Sequence, residues 1–379
     1  YRNGRLHQLP TGPLEFLKSP VLSLKGRLRV FGEPFAPGKP EGVDESIFDF
    51  ARRRIGEEAA SVLIDAMVSG VFAGNVRDLS LASSFPKMAA MEEEHGGLVR
   101  AMVSRMKERR LARREVALLG AQGEDVEELT RPGGPAGPGG TLTSFRDGLD
   151  TLPGALAREL GDGVRCGFRV TALEKNTSDA PEASPWLVHS ASGEALGADA
   201  LVMALPGPGA KGILRTLDQR LAELVGQIPA AGLAVVALGY EVSGMGEAPD
   251  GFGFLVPRGS GMRSLGCLWD SSIFPGRAPA GKVLLRVMIG GAHDPEAVGE
   301  EEDSLIRQVR GDLKQAMGHD AEPVLSRVYR WPSGIGQYTV GHGERIEGVE
   351  ERLRDFPGLW VAGSSYYGIS MNACIEKAG

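Results

Sequence analysis

The sequence predicts a multidomain protein that combines an α/β sheet domain, an antiparallel α+β domain and a helical block. Apolar segments of strand length recur along the second half of the chain, interrupted by helical stretches. Apolar residues repeat at helical spacing through residues 46–130. The segment PGGPAGPGG at residues 132–140 is predicted to be a hinge between this helical region and the strand-rich region that follows. With 379 residues, the chain is long enough for two or three domains and a substantial core.

The composition excludes several classes of protein. Hydrophobic residues make up 42% of the chain and charged residues 24%, which is typical of a globular protein and not of a disordered one. The 42 basic and 49 acidic residues give a net charge of −7, and no nucleic-acid partner is expected. No apolar run approaches the roughly 18 to 20 residues that a membrane span needs.

The cysteines and the chain ends carry less information. Cys166, Cys267 and Cys374 are widely spaced and form no CxxC pair, so we expect neither a zinc site nor a disulfide framework, and favour a reducing compartment. The sequence begins at Tyr1, and residues 372–379 resemble a helix that has only started. We therefore expect a fragment cut at both ends, for which the absence of a targeting segment is uninformative.

The first half of the chain is predicted to be mainly helical. Residues 1–45 are rich in proline and glycine, which favours an extended segment with many turns. Ser46 and Asp49 form a capping box, and apolar residues then repeat at helical spacing through residues 47–55 and 59–67.

A third helical stretch, from Lys87 to about Glu115, is strongly basic in an acidic protein. Its basic residues are Arg100, Arg105, Lys107, Arg109, Arg110, Arg113 and Arg114. Such a cluster is either a solvated helix face, which is the more common case, or a surface that contacts anionic lipid.

The second half is predicted to contain nine strands and two helices. The strands are residues 164–173, 186–189, 200–205, 233–240, 253–256, 265–269, 283–289, 324–329 and 359–362. The helices cover residues of about 209–227 and 295–317.

The last predicted strand continues into the most distinctive segment, GLWVAGSSYYGISMNACI at residues 358–375. Its loop contains Gly363 and Gly368, and a helix is predicted to begin near Ser370. Glycines allow the backbone to approach a flat ligand, and a helix start offers free N–H groups and the positive end of a dipole. That arrangement suits the anionic edge of a reduced flavin, although any strand–loop–helix unit of an α/β domain has the same pattern.

No other motif predicts a chemistry of its own. No GxGxxG phosphate loop is expected anywhere in the chain, and the glycine-rich residues 134–140 are rejected because they neither follow a strand nor open a helix. GxSxG, HExxH, P-loop and EF-hand patterns are absent, and the six histidines have no metal-ligand spacing. Redox chemistry carried by a cofactor therefore remains the favoured reading, with no metal and no catalytic side chain.

Several segments together resemble the protoporphyrinogen oxidase family of the GG-doublet amine-oxidase superfamily. They are RLHQLPTG (5–12), ESIFDFARRRIG (45–56), GVFAGNVRDLSLASSFPKMAAMEEEHGGL (70–98), SFRDGLDTLP (144–153), GFGFLVP (251–257), LGCLWDSSIFP (265–275), RWPSGIGQYTVGH (330–342) and GSSYYGISMNACIE (363–376). The resemblance covers nearly the whole chain.

The resemblance implies an amine-oxidase-like FAD/NAD(P)-binding fold whose FAD domain is incomplete. It places the substrate domain at residues 1–13 and 230–345, the helical membrane-associated domain at 14–139, and the FAD-binding domain at 140–229 and 346–379. It also implies that FAD is bound by Val170, by a turn from Ala204 to Pro206, by Trp331, and by the backbone of Ile369, Ser370 and Met371. Without the resemblance, Val170 is more simply a strand core residue, and Trp331 is as readily a packed aromatic.

The resemblance further implies an apolar pocket for a flat tetrapyrrole. Its lining is expected to include Gly148, Phe252, Leu255, Leu268 and Met288. The propionate-binding arginine of the family is expected upstream of Tyr1. Where the family has paired glycines, this sequence has Asp147 and Gly148, which puts substrate contact there in question.

The implied reaction is the oxidation of protoporphyrinogen IX to protoporphyrin IX in haem biosynthesis, by hydride removal to FAD with dioxygen or a quinone as acceptor. Two alternatives stay open: oxidation of coproporphyrinogen III to coproporphyrin III, and a non-catalytic tetrapyrrole-binding module. The expected partners are a tetrapyrrole, a membrane surface bound without spanning, and a second copy of the chain. The expected location is the inner face of a bacterial cell membrane, and the fragment alone is expected to bind FAD poorly.

Overall fold

The computed structural model describes residues 1–10, 12–40, 42–119, 142–177 and 184–378, and the predicted hinge at 132–140 lies outside them. The chain divides into two compact units. The larger unit contains Tyr1–Phe31, Lys39–Pro86 and Gly167–Gly379, and the smaller contains Gly32–Gly38 and Lys87–Cys166. The domain boundaries implied by the resemblance stay predictions.

The described residues form helices and strands in the following order. The helices are α1 (Pro13–Lys18), α2 (Leu24–Phe31), α3 (Ile47–Ile55), α4 (Glu57–Ala59), α5 (Asp65–Phe72), α6 (Leu81–Ser84), α7 (Pro86–His95), α8 (Leu98–Leu119), α9 (Thr151–Leu160), α10 (Gly207–Leu214), α11 (Gln219–Gly226), α12 (Val242–Met245), α13 (Asp270–Ile273), α14 (Glu302–Met317), α15 (His342–Leu353) and α16 (Met371–Ala378). The strands are β1 (Val170–Lys175), β2 (Trp186–Ser190), β3 (Ala195–Ala198), β4 (Leu201–Met203), β5 (Ala230–Glu241), β6 (Gly253–Leu255), β7 (Ser264–Leu268), β8 (Lys282–Gly290), β9 (Leu325–Gly336) and β10 (Leu359–Val361).

The larger unit contains a five-stranded antiparallel sheet with strand order β6-β7-β8-β5-β9. Side chains alternate between the two faces of a strand, so every second residue of β5 and β8 points to the same side. On one side, the buried residues Val236, Leu238 and Val287 pack with Leu305 and Val309 of α14. This core fixes one face of the sheet. The other face is partly covered near α5, where Met288 and Val235 pack with Ala73 and Leu255 lies against Gly70.

A second group of elements contains a three-stranded antiparallel sheet, β1-β2-β3, and a parallel pair, β4 and β10. Their core includes the fully buried Leu214, Leu221, Val225 and Val349, which come from α10, α11 and α15. A parallel pair brings the carboxyl ends of its two strands to one edge. The mixture of parallel and antiparallel sheets with helices confirms the predicted fold class.

The first predicted helix is confirmed, including its cap. Ser46 precedes α3, and its Oγ accepts a hydrogen bond from the Asp49 N–H at 3.0 Å. The next helical stretch is confirmed from residue 57 to 72, with a π-helical segment, Ala60–Ile64, between α4 and α5. The prediction that residues 1–45 are extended is wrong, because α1 and α2 form within them.

Three other boundaries differ from the predictions. The stretch predicted over 87–115 is two helices, because Gly96 adopts φ +72° between α7 and α8. The stretch predicted over 209–227 is also two helices, because the Asp218 carboxylate accepts the Leu221 N–H and caps α11. The strand predicted from Val164 begins only at Val170, since Gly167 at φ +77° turns the chain first.

Within the smaller unit, the start of α8 is held by a buried carboxylate. Glu33 accepts the backbone N–H groups of Leu98 at 2.9 Å and Val99 at 3.1 Å. A carboxylate is favourable there because it meets both free N–H groups and the positive end of the helix dipole. Across the described ranges of the chain, no helix has the length and apolar character required to cross a bilayer.

Candidate functional site

Two loops meet at the edge where β4 and β10 end. The strands pair in register from Leu359 with Leu201 to Val361 with Met203, and the Ala362 N–H donates to the Met203 carbonyl at 3.0 Å. The turn Ala204–Pro206 follows β4, and the loop Gly363–Ser370 follows β10; we call the latter the C-terminal loop. In open α/β sheets, ligands bind at the carboxyl ends of the strands. The structure therefore brings together the predicted cofactor residues Ala204 and those of the C-terminal loop.

A buried tyrosine ties the C-terminal loop to the end of β9. The Tyr338 hydroxyl donates to the Ser364 carbonyl at 2.7 Å and accepts the Gly368 N–H at 2.7 Å. Its ring stacks on the His342 imidazole with a centroid distance of 4.1 Å. Burial raises the pKa of Tyr338 to about 12, so the hydroxyl keeps its proton and can make both bonds.

A second set of hydrogen bonds joins the C-terminal loop to the turn after β4. The Tyr366 hydroxyl donates to the Leu205 carbonyl at 3.0 Å, and the Ser365 Oγ accepts the Gly207 N–H at 3.3 Å. The His342 Nε2 lies 3.0 Å from the Tyr366 carbonyl and donates to it. These contacts fix the two loops relative to each other.

The glycines of the C-terminal loop adopt conformations that other residues avoid. Gly363 has φ +105° and Gly368 has φ +139°, and a Cβ at Gly368 would lie 2.5 Å from the Ala373 Cβ. The predicted helix start is one residue early: α16 begins at Met371, and the Ser370 Oγ caps it by accepting the Ala373 N–H at 3.1 Å. The first N–H groups of such a helix point outward and can meet an anionic ligand edge.

The predicted cofactor residues differ in how accessible they are. Ala204, Ser370 and Met371 are exposed, and Ile369 is half-buried at the same edge. Trp331 is 48% exposed on β9 and stacks with Tyr329 at a centroid distance of 6.1 Å. A flat ring system can cover such exposed apolar and backbone surface.

Val170 is the remaining predicted cofactor residue. It is the first residue of β1, is half-buried, and packs against the core that contains the parallel pair β4 and β10. That position fits both the strand-core reading and the cofactor reading, so a role of Val170 in FAD binding stays a prediction.

Three predicted substrate residues share one face of the five-stranded sheet. Cross-strand pairing joins Leu255 to Gly266, Gly266 to Met288, Met288 to Val235, and Val235 to Tyr329, so these five residues form one row across all five strands. The row lies on the side opposite the α14 core, since Val287 and Cys267 next to it point into that core. We call this surface the open sheet face.

The other three predicted substrate residues lie outside that row. Leu268 lies in the next row of the open sheet face, paired with Gly253 and Arg286. Phe252 precedes β6, is 43% exposed, and accepts the Trp269 N–H through its carbonyl at 3.1 Å. Gly148 belongs to the smaller unit, where it forms a turn at φ +102°.

The segment GPGAKG, Gly207–Gly212, has the GxGxxG spacing, contrary to the expectation that the chain contains no candidate phosphate loop. It follows β4 and opens α10, as such a loop must. Its glycines serve another purpose, because all three have helical positions within α10 and none has a positive φ. Gly207 is needed for close packing, since a Cβ there would lie 2.7 Å from the Val225 carbonyl.

The polar groups that support the C-terminal loop are uncharged. Burial raises the pKa values of Tyr338 and Tyr366 and lowers the pKa of His342. The described residues contain no cluster of His, Cys, Asp or Glu that could hold a metal ion. A neutral cradle with glycine-lined backbone and a helix start fits the uncharged ring and anionic edge of a flavin.

The residues that support this cradle were not identified from the sequence. Tyr338, His342, Ser365 and Tyr366 all come from segments that the resemblance includes, QYTVGH and GSSYYG. A signal was present, because two aromatic hydroxyls close to a glycine turn often supply hydrogen bonds that a loop cannot make internally.

Comparison with known proteins gives a consistent result. Residues 1–378 match the family model of flavin containing amine oxidoreductases. The chloroplastic protoporphyrinogen oxidase of Oryza sativa subsp. japonica is 30% identical over 99% of this chain and 69% of its own length. The coproporphyrinogen III oxidase of Bacillus subtilis (strain 168) is 30% identical over 99% of this chain and 74% of its own length.

Solved structures agree with the family. One from Exiguobacterium sp. 255-15, provisionally named a protoporphyrinogen oxidase, has a TM-score of 0.75 and 25% identity, covering 97% of this chain and 73% of that one. Cyclohexylamine oxidase from Brevibacterium oxydans IH-35A shares the fold, with a TM-score of 0.56 and 18% identity over 95% of this chain and 72% of that one. The chain therefore belongs to the flavin containing amine oxidoreductase family, with FAD as its cofactor.

Proposed function

We propose that this protein oxidises protoporphyrinogen IX to protoporphyrin IX in porphyrin and haem biosynthesis. The observation that carries the proposal is the open sheet face, where Leu255, Leu268 and Met288 present half-buried apolar side chains. Burying apolar surface is worth roughly 25 cal/mol per Å², so a flat macrocycle gains most of its binding energy on such a face. The named relatives from rice and Bacillus subtilis act on porphyrinogens, which supports this substrate class.

The residues of this chain position the reaction and do not carry it out. The C-terminal loop and the turn at Ala204 would hold FAD, which would supply a two-electron hydride acceptor reoxidised by dioxygen or a quinone. Three such oxidations, each removing one hydride and one proton, would convert the porphyrinogen to the porphyrin. The open sheet face aligns the substrate and excludes water. No catalytic base is proposed, and Tyr338, Tyr366 and His342 act by holding the loop.

The proposal is tested with the complete gene product supplied with FAD. We expect porphyrin fluorescence to appear when protoporphyrinogen IX is added. The flavin absorbance should correspond to one FAD per protein chain. A flavin-loaded protein that oxidises no porphyrinogen would contradict the substrate. A protein that binds no flavin at all would contradict the assignment of the C-terminal loop.

Coproporphyrinogen III is the second candidate substrate. The Bacillus subtilis relative with that name is as similar as the rice relative, at 30% identity each. Coproporphyrinogen III carries propionates where protoporphyrinogen IX carries vinyl groups, so the two differ in charge. Parallel measurement of kcat/KM for both, with product identified by chromatography, decides between them.

We also propose that the protein binds to the inner face of a bacterial cell membrane. On α8, Met102, Met106 and Leu111 are 56%, 65% and 63% exposed, which favours contact with an apolar phase. Arg100 and Lys107 are described, whereas the side chains of Arg105, Arg109, Arg110, Arg113 and Arg114 lie outside the described residues.

Sedimentation with liposomes tests this attachment. We expect binding to anionic vesicles to exceed binding to neutral ones, and Met102→Ser with Met106→Ser to weaken both. Equal sedimentation with and without vesicles would contradict membrane binding.

A homodimer is proposed as the solution state, and sedimentation equilibrium at micromolar concentration tests it: a single species of monomer mass would contradict it.

A further inference from the structure

Two arginines lie on the open sheet face in a position that the proposed function leaves unexplained. The row next to Leu255 and Met288 consists of Gly253, Leu268, Arg286, Ala237 and Arg327, one residue from each strand. Cross-strand partners project to the same face of a sheet. Both guanidinium groups are therefore carried on the apolar face that is expected to receive the macrocycle.

The spacing of the two arginines leaves room between them. Ala237 pairs with Arg286 on one side and with Arg327 on the other. Strands are about 4.8 Å apart, so the two Cα atoms lie roughly 10 Å apart with only a methyl group between them. A charged side chain on an apolar face is stabilised by an opposite charge, which Arg286 finds in Asp270; Arg327, on the edge strand β9, has no acidic partner among the described residues.

Each arginine keeps hydrogen-bonding capacity for a ligand. The Arg286 side chain is 45% exposed and donates through Nη2 to Asp270 at 2.8 Å; no partner of its Nε or Nη1 is found within the described ranges. Arg327 is exposed and donates through Nη1 to the Ser326 carbonyl at 2.9 Å, with no acidic partner in the same part of the chain.

The buried carboxylate of Asp270 holds Arg286 in place. Asp270 opens α13, and its side chain is 12% exposed. One guanidinium N–H is committed to this carboxylate, which restricts the rotamers of Arg286. Arg327 lies on the edge strand β9, as does Trp331. Tyr329 lies between these two residues on the same face of the strand.

We propose that Arg286 and Arg327 bind carboxylates of the porphyrinogen through charge-assisted hydrogen bonds. This inference rests on the proposed function and identifies residues that would determine its substrate specificity. The apolar face buries the macrocycle, and the arginine pair orients the macrocycle through its propionates. Guanidinium groups match carboxylates well because their donors form a planar fork. A neutral ester of the same macrocycle lacks the anionic acceptor and gains nothing from the pair.

Steady-state kinetics with matched acid and ester substrates tests the pair. We expect Arg327→Met to raise KM for protoporphyrinogen IX about tenfold or more, with kcat within about twofold, since charged hydrogen bonds are of that strength. KM for its dimethyl ester, presented in the same detergent, should stay within about twofold. A KM that is unchanged for the acid, or that rises equally for the ester, would overturn the proposal.

Arg286 requires a second variant, because removing it leaves the buried Asp270 carboxylate unpaired. Arg286→Met combined with Asp270→Asn removes both charges, and we expect the same acid-selective rise in KM. Arg310→Met is the matched control, since Arg310 also pairs with a carboxylate, Glu322, but lies on α14 behind the opposite face. It should leave KM for both substrates unchanged.

Binding measurements separate this inference from the oxidation itself. Quenching of coproporphyrin III fluorescence reports porphyrin binding even in a protein that oxidises no porphyrinogen. We expect Arg327→Met to weaken binding of the acid and not of its tetramethyl ester. Equal affinities for wild type and variant would overturn the pair, whereas tight, arginine-dependent binding without turnover would contradict only the proposed oxidation.

Discussion

Tyr338→Phe is the sharpest perturbation of the cofactor cradle, because one hydroxyl joins two parts of the C-terminal loop. It removes the bond to the Ser364 carbonyl and the bond from the Gly368 N–H, each 2.7 Å long. The ring, its stacking on His342 and the packing volume are retained. Any effect therefore comes from the two hydrogen bonds.

The magnitude follows from what the substitution leaves behind. Both backbone groups are only partly buried, so water can replace part of what the hydroxyl supplied, and the two lost hydrogen bonds together cost about 1–3 kcal/mol. We expect the free energy of unfolding to fall by that amount. Because the loop that holds Ile369 to Met371 loses its anchor, FAD affinity should fall at least about tenfold, which corresponds to about 1.4 kcal/mol.

Two measurements check this prediction: urea unfolding followed by circular dichroism, and FAD titration followed by flavin fluorescence. Tyr240→Phe is the matched control, because Tyr240 is equally buried but lies in the core between the five-stranded sheet and α14. It should leave FAD affinity unchanged. A Tyr338→Phe protein with wild-type stability and FAD affinity would refute the role given to this hydroxyl.

Three further predictions concern His342, Gly368 and Asp147. His342 has its pKa lowered from 6.5, chiefly by burial; its Nδ1 has no partner within the described residues, so the unfolded chain takes up the proton first. The contribution of His342 to stability is complete above pH 6.5 and is lost as the pH falls through the lowered pKa. His342→Gln should therefore flatten the pH dependence of the free energy of unfolding, measured in urea. An unchanged pH dependence would contradict this. Gly368→Ala should abolish stoichiometric FAD binding, measured by absorbance after gel filtration, because the added Cβ would clash with Ala373. The control is Gly343→Ala in α15, where an added Cβ meets no atom within 4 Å, and this variant should bind FAD as the wild type does. Asp147→Gly should leave the KM for the porphyrinogen unchanged or lower it, because an exposed carboxylate can only repel an anionic substrate; a clear rise in KM would show that Asp147 contributes favourably.

The sequence predicted the parts of the fold that follow local rules. The Ser46 cap, the strand that begins at Leu359 and the glycine loop at Gly363 and Gly368 are specified by residues close in the chain, and each was identified correctly. Fold class and cofactor followed from the family resemblance and are confirmed by the family match.

The errors arose where tertiary contacts or single residues override a pattern. Helix α2 lies in the segment predicted to be extended, and it is held by Arg29, which donates to the carbonyls of Arg53 and Arg54, 24 and 25 residues away. Asp218 interrupts a continuous helical pattern by capping its second half. Periodicity contains neither piece of information.

The candidate site was only partly predictable for the same reason. Individual residues such as Leu255 and Met288 could be named from the resemblance, but the rows of the open sheet face depend on the register between five strands. Because a shift of one residue moves every side chain to the other face, the arginine pair became visible only in the structure.

The most direct test of the account is anaerobic reduction of the FAD-loaded complete gene product by protoporphyrinogen IX, followed as loss of the oxidised flavin absorbance. We expect the flavin to bleach on mixing and to recover when dioxygen is admitted, with the matching appearance of protoporphyrin IX fluorescence. A bound flavin that stays oxidised in the presence of both protoporphyrinogen IX and coproporphyrinogen III would contradict it.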